Sequence, residues 1–226
     1  MTNDIYIFSL GQFAASNLTK SVVAFSAALE KESNFPFFTT TRIYVSLAAD
    51  QIYYKTIDNY KLGNINSDEF KTRISNQLGI KESDEFENAW NSMCELTPEA
   101  SKKIVNVFAL QQKEHFKLCI VSATNPLQYD YTIKSINVEL EKLDLQHIDE
   151  NPNVKIVTSF KENTLSLPEL ARVAIQKNGW DSDEYNIISF DNRLTQESLM
   201  LKNANFTYEM EQKLFFTGEV DQNTEL

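Results

Sequence analysis

An apolar run near the start of the chain most constrains the fold. Residues 5–10 read IYIFSL, and the run stops at Ser9 and Gly11. β-formers bounded by glycine predict a buried strand in the middle of a sheet. Ligands of an open parallel sheet bind beyond the carboxyl ends of its strands. We therefore expect Ser9 and the peptide at Gly11 to lie at the mouth of any binding site.

The rest of the chain alternates helical patterns with further apolar runs. Helices are predicted at 16–31, within 41–60, from 67 to about 78, from 83 through 93, and at 98–112, 129–145 and 167–177. Strands are predicted at 117–122, 154–159 and 185–191, with edge strands at 206–208 and 214–216. An aromatic loop is expected at 34–38 and a frayed acidic tail at 219–226. Helices that alternate with buried strands indicate an α/β protein.

Composition narrows the partners. The chain has 226 residues and a net charge of −11, and like charge opposes approach to nucleic acid or an anionic membrane. Its two cysteines, Cys94 and Cys119, lie in apolar contexts far apart in sequence, a pattern typical of free thiols in a reducing compartment. No apolar run approaches the roughly 18 residues that a bilayer span needs. We expect a cytoplasmic protein without nucleic-acid or membrane partners.

Other catalytic arrangements find little support in the sequence. The two histidines, His115 and His147, have no cysteine or serine at a recognisable spacing. The acidic clusters at 83–87 and 181–184 are typical of solvated helix starts.

Two segments carry a resemblance to a known family. The first is residues 60–70 (YKLGNINSDEF), followed by 89–93 (AWNSM), and the second is residues 96–99 (LTPE), leading to 121–126 (VSATNP). Both are similar to motifs of the haloacid dehalogenase-like hydrolase superfamily. The similarity is to phosphatases of that superfamily with a small helical cap. It implies a Rossmann-like three-layer core with a mostly parallel sheet, built from residues 1–13 and 95–226, and an inserted all-helical cap at 14–94.

The resemblance also indicates which catalytic groups have changed. In the family a nucleophilic Asp ends the first strand, and here Ser9 stands in its place. Ser122, followed by Ala123, matches the hydroxyl that holds a phosphoryl oxygen. The residue before Pro168 is Leu167 instead of the family's lysine. Of two magnesium-binding acids only the second is kept, as Asp191.

Several groups are candidates to fill these gaps. Lys161 or Arg172 would be the replacement for the missing lysine, and Glu162 or Glu197 would be replacement acids. Simpler roles also fit, in which Ser9 only closes a strand and Asp191 caps a helix.

These replacements favour a catalytically inactive relative that serves as a binding or protein-interaction module. A serine without an adjacent base is a weak nucleophile, and one acid carries too little charge for tight Mg²⁺ binding. The alternative is a Mg²⁺-dependent phosphatase of small phosphorylated substrates with a rewired site. We expect ligand contacts at Ser9, Gly11, Ser122 and Ala123, and a weak or absent metal site at Asp191. No cofactor is expected, and Mg²⁺ is the one to test. The partner, a protein or a small molecule, is not identified.

Overall fold

The computed structural model describes residues 3–11, 22–23, 25–27, 40–78, 84–201 and 205–208. Residues 22–23 and 25–27 are helical, inside the first predicted helix. The predicted aromatic loop at 34–38, the edge strand at 214–216 and the tail at 219–226 lie outside the described residues.

The described strands form one five-stranded sheet in which every pair is parallel, in the order β3-β2-β1-β4-β5. Their bounds are β1 Asp4–Ser9, β2 Lys117–Ser122, β3 Val154–Thr158, β4 Asn186–Ser189 and β5 Asn205–Tyr208. The first strand is therefore central, as predicted. The strand before Asp191 ends two residues earlier than predicted, so Asp191 lies in the loop beyond it.

The helices follow the predicted order, with two short helices added that were not predicted, Ser159–Glu162 and Gln196–Leu199. They are α1 Thr40–Ala49, α2 Thr56–Lys61, α3 Ser67–Leu78, α4 Asp84–Asn91, α5 Pro98–Glu114, α6 Pro126–Glu141, α7 Ser159–Glu162, α8 Leu167–Lys177 and α9 Gln196–Leu199. A π-helical turn, Asp50–Tyr54, joins α1 to α2, and a 3₁₀ turn, Ser92–Cys94, follows α4. Three helices have a proline as their first or second residue behind a capping side chain, supplied by Thr97, Asn125 and Ser166.

Helices cover both faces of the sheet. On one face, Phe8, Leu118 and Ile120 pack in a single buried cluster with side chains of α5 and α6. On the other, Ile7 and Val121 pack with side chains of α8. Since neighbouring residues of a strand point to opposite faces, the continuous apolar strands supply both clusters. The result is the three-layer α/β core that the sequence predicts.

Between β1 and α5 every described element is helical. We refer to residues 40–78 and 84–94 as the helical insert. Its core is a set of packed rings, in which Tyr60 stacks on Phe70 with centroids 4.2 Å apart and Phe70 meets Trp90 edge-on at 4.9 Å. The exact domain boundaries, and a role for this insert as a cap, stay predictions.

Two of the contacts between the insert and the core have a well-defined geometry. The Tyr60 hydroxyl accepts a hydrogen bond of 3.2 Å from the backbone N–H of Leu127 at the start of α6. The turn after α2 brings Gly63 against the backbone of Phe160. The first contact is made by a rigid buried ring and the second by backbone alone, so both fix the insert over the sheet. Across the described part of the chain, no helix combines the length and the apolar character that a membrane span requires.

Candidate functional site

Hydroxyl residues end four neighbouring strands at the carboxyl edge of the sheet. Thr158 ends β3, Ser122 ends β2, Ser9 ends β1 and Ser189 ends β4. The parallel register aligns them, because Ser122 pairs with Thr158 and Ser9 with Val121. This edge is therefore polar but uncharged, and charge reaches it through the loop after β4.

That loop places an arginine over the end of the first strand. Arg193 Nε donates to Asp191 Oδ1 at 2.8 Å, and its Nη2 donates to Asp191 Oδ2 at 2.5 Å and to Ser9 Oγ at 3.0 Å. The Asp191 side chain is only 2% exposed, whereas that of Arg193 is 56% exposed. A two-pronged contact of this kind is the strongest geometry for an arginine and a carboxylate. The guanidinium thus joins the two strand ends.

Local hydrogen bonds hold Asp191 in place. Its backbone N–H donates to the Ser189 hydroxyl at 3.3 Å, and its Oδ1 also accepts from the backbone N–H of Arg193 at 3.0 Å. The cap of the following helix α9 is Thr195, which forms a capping box with Ser198. The expected simple role of Asp191 as a helix cap is therefore wrong. Thr195 lies directly before the helix and caps it. The carboxylate of Asp191 closes a side-chain turn and holds the arginine instead.

The electrostatics of this pair favour two charged groups. Burial acts to raise the pKa of Asp191, but hydrogen bonds from Arg193 and Ser9, together with the arginine charge, outweigh it and lower that pKa. The hydrogen bond to Asp191 in turn raises the pKa of Arg193. The carboxylate is therefore ionised at neutral pH and weakly basic.

A cavity of about 580 Å³ lies between this edge and the helical insert. The core lines it at the ends of β1 and β2 and through Arg193, and the insert lines it through α1, the π-helical turn, α2 and α4. The side chains with polar or charged groups are Ser9, Asp50, Gln51, Asp58, Lys61, Ser122, Thr124, Gln128, Thr132 and Arg193. Pockets of about 300–1,000 Å³ are typical of small-molecule sites.

Asp50 lines the cavity from the insert and is itself fully buried. Its carboxylate accepts from the backbone N–H groups of Thr56 and Ile57, at 3.1 and 2.9 Å, and from Gln77 Nε2 at 3.0 Å. These donors satisfy the charge and fix the start of α2. Asp50 is therefore a structural group of the cavity wall.

The structure brings most of the predicted ligand-contacting residues together. Ser9, Gly11, Ser122 and Ala123 all line the cavity. Asp191 does not line it but lies directly behind Arg193. Their roles in binding stay predictions.

The predicted replacements for the missing lysine and acid lie elsewhere. Lys161 sits over the ring of Tyr129, and Arg172 contacts Met200 Sδ at 3.1 Å. Neither lines the cavity, so neither takes the place of the missing lysine there. Glu162 pairs with Lys177 at 2.8 Å, and Glu197 also lies outside the cavity. Their own helices, α7, α8 and α9, direct them to the surface.

Sequence reasoning missed Arg193 and, on the insert, Asp58 and Lys61. The signal for Arg193 was its place two residues after Asp191, directly beyond the segment 188–192 that was compared with the family's metal-binding motif. Lys61 belongs to the segment 60–70 that carried the resemblance. The charges of these residues were not placed in the cavity.

The donor set at this edge does not fit Mg²⁺. The ion prefers carboxylate oxygens in octahedral geometry, and here both oxygens of Asp191 bind a guanidinium while Ser9 offers a neutral hydroxyl. A cation placed beside them would face the positive charge of Arg193. Across the described ranges, no three His, Cys, Asp or Glu side chains are grouped to hold a metal.

Solved structures with similar folds give the comparison. A HAD family enzyme from Bacteroides thetaiotaomicron, BT-2542, solved in complex with magnesium and inorganic phosphate, matches with a TM-score of 0.60 at 14% identity, covering 100% of both chains. A predicted HAD-like family hydrolase from Porphyromonas gingivalis matches at 0.59 with 15% identity over 94% of each chain. A putative HAD-hydrolase of Bacillus subtilis, YfnB, bound to magnesium, matches at 0.51 with 14% identity over 93% of this chain and 92% of its own.

No protein-family model matches the sequence, and a search of curated proteins found no match either. The similarity to the solved structures establishes the architecture: this chain has the fold of the haloacid dehalogenase-like hydrolases. The resemblance seen in the sequence is confirmed at that level.

Proposed function

We propose that this protein is a catalytically inactive member of the haloacid dehalogenase-like group that binds a small molecule in the cavity between the sheet and the helical insert. One observation carries the proposal. Arg193 binds both oxygens of Asp191 and also contacts Ser9, so the groups at the expected catalytic centre are already engaged with each other.

The nucleophile and the base that phosphoryl transfer requires are missing from this site. A carboxylate nucleophile would form an acyl phosphate that water hydrolyses, whereas Ser9 needs a base to become nucleophilic. The carboxylate nearest to it, Asp191, has a lowered pKa and is paired with Arg193, which makes it a poor base. A HAD family enzyme of this fold solved with magnesium and inorganic phosphate supports the other candidate, a rewired phosphatase, and the experiment below separates the two.

The cavity supports a small molecule more than a protein as the ligand, because it is concave and holds several buried polar groups. Both cysteines are free thiols. This agrees with the cytoplasmic location that we propose.

The proposal is tested by turnover. The native protein, Ser9→Ala and Asp191→Ala are incubated with p-nitrophenyl phosphate and with acetyl phosphate, in Mg²⁺ and in EDTA, and product is followed over hours. We expect all three proteins to match the buffer blank. Native turnover that is lost in Ser9→Ala would establish the rewired phosphatase and overturn the inactive assignment.

A calorimetric titration with MgCl₂ adds an independent measurement. We expect no binding in the micromolar range, because one paired carboxylate supplies little uncompensated charge. Micromolar binding that disappears in Asp191→Asn would show that Arg193 gives way to the metal, and the proposal would then fail.

A further inference from the structure

Several hydrogen-bond donors that line the cavity have no partner among the described residues, and two of them, on Arg193 and Ser122, lie at the edge of the sheet. Arg193 uses Nε and Nη2 for Asp191 and Ser9, and its Nη1 donates to no atom of the described residues. Ser122 is 6% exposed, lines the cavity and makes no side-chain hydrogen bond within that same part of the chain. A ligand that fills the cavity displaces water from both donors, so it would have to offer them an acceptor. An oxyanion is the acceptor that a guanidinium edge and a hydroxyl suit best.

The charges around the cavity limit how negative that oxyanion can be. Asp50, Asp58 and Asp191 are set against Lys61 and Arg193, and neither Asp58 nor Lys61 forms an ion pair with any described residue. These groups carry three negative charges and two positive ones, so their net charge is −1 before any ligand binds. Each further negative charge on a ligand is therefore opposed, and a dianion is opposed more strongly than a monoanion.

The helical insert supplies an apolar wall opposite these donors. Leu47, Ile57, Trp90 and Met93 line the cavity from the insert, and Leu167 lines it from the core. Leu167 stands where the family resemblance implies a lysine. An apolar ligand body would be buried against these side chains.

We infer that the cavity takes a ligand with an apolar body and an oxyanion head of a single negative charge, and that it takes this ligand without a metal ion. The inference rests on the proposed function and adds the class of ligand. Arg193 then does for the head group what a divalent ion would otherwise do. Carboxylates, sulfate esters and phosphodiesters share this chemistry, whereas phosphate monoesters at neutral pH carry more charge.

Probes with the same tail and different heads test the head group. Hexyl sulfate, hexanoate and hexyl phosphate are titrated into the full chain in EDTA, and binding is followed by calorimetry and by fluorescence of Trp90 in a Trp180→Phe background. At pH 8 we expect hexyl sulfate and hexanoate to bind at least about tenfold more tightly than dianionic hexyl phosphate. Near pH 5, where the second phosphate proton returns (pKa about 6), hexyl phosphate should approach hexyl sulfate.

Two arginine variants locate the head group. Arg193→Gln should weaken hexyl sulfate about tenfold or more, and the matched variant Arg172→Gln, outside the cavity, should leave it unchanged. Millimolar Mg²⁺ should not alter any of these affinities.

Three outcomes overturn the inference: tighter binding of hexyl phosphate than of hexyl sulfate at pH 8, a requirement for Mg²⁺, or no binding of any probe at millimolar concentration. Phosphate release is measured in the same hexyl phosphate samples. Release would refute the proposed function itself, whereas tight binding without release would refute the ligand class alone.

Discussion

Gly63 offers a sharp test of how the helical insert is fixed over the sheet. It follows α2 in a turn where its own N–H donates to the Tyr60 carbonyl at 3.1 Å and the N–H of Asn64 donates to the Asn59 carbonyl at 2.8 Å. These two hydrogen bonds are the pattern of a Schellman turn, and Gly63 has the positive φ of 74° that such a turn needs. A Cβ added there would lie 2.5 Å from the carbonyl oxygen of Phe160.

The cost of Gly63→Ala has two parts. An alanine in the left-handed region costs about 1–2 kcal/mol. Relieving the contact requires a shift of backbone, since the opposing atom is a carbonyl, and overpacking of this kind costs about 1–3 kcal/mol. Gly179 separates the two parts, because it has φ 66° and nothing within 4 Å of its added Cβ. Gly179→Ala should therefore be destabilised only by the cost of the left-handed conformation.

Urea and thermal unfolding of both variants, followed by circular dichroism, measure the difference. For a chain of this size, 1 kcal/mol corresponds to roughly 2–4 °C in Tm. We expect Gly179→Ala to fall by a few degrees and Gly63→Ala by about twice that or more. Equal losses in the two variants would show that the insert does not press on Phe160, and the described contact between insert and core would be wrong.

Three further predictions concern the site. Burial raises the pKa of Cys94 to about 11 and that of Cys119 to about 12, so mass spectrometry after iodoacetamide at pH 8 should find both thiols largely unmodified, with Cys94 reacting first as pH rises. The lowered pKa of Asp191 means that its contribution to stability is present above 3.8, its ordinary value, and is lost on acidification below it. Across pH 2–6, the free energy of unfolding measured with urea should therefore depend less steeply on pH in Arg193→Met than in the native protein. Ser9→Asp should give no phosphatase activity with p-nitrophenyl phosphate and Mg²⁺, because the new carboxylate would pair with Arg193 while the lysine is still missing.

Elements with a single dominant signal were predictable from the sequence. The strand Lys117–Ser122 and the helix Leu167–Lys177 have the predicted bounds. The strand contains the apolar run 118–121, and the helix has Pro168 as its second residue and ends two residues before Gly179. The helix α6 was placed three residues late. Asn125-Pro126 is a pair typical of turns, yet here it supplies the cap and the first residue of the helix.

The site was predictable only where strand order decides position. Ser9 and Ser122 end adjacent parallel strands, so a correct sheet brings them together without further information. Arg193 is different, because its long side chain could point to solvent or back to the strand ends. What selects the second conformation is the burial of Asp191, a property of the packed sheet that no local pattern encodes.

A buried carboxylate at this edge needs a positive charge beside it. That requirement links the serine at position 9 to the arginine at position 193. In a site with an aspartate at the first strand end and a metal, an arginine at position 193 would compete with the ion for the carboxylates. With Ser9 in place and no metal site, Asp191 would be left unpaired at 1% exposure unless a side-chain cation reached it. Arg193 supplies that cation from two residues away and extends a hydrogen bond to Ser9, so each of the two residues fits the other. Under the proposed function, phosphatase activity would therefore require removing the arginine as well as adding the aspartate.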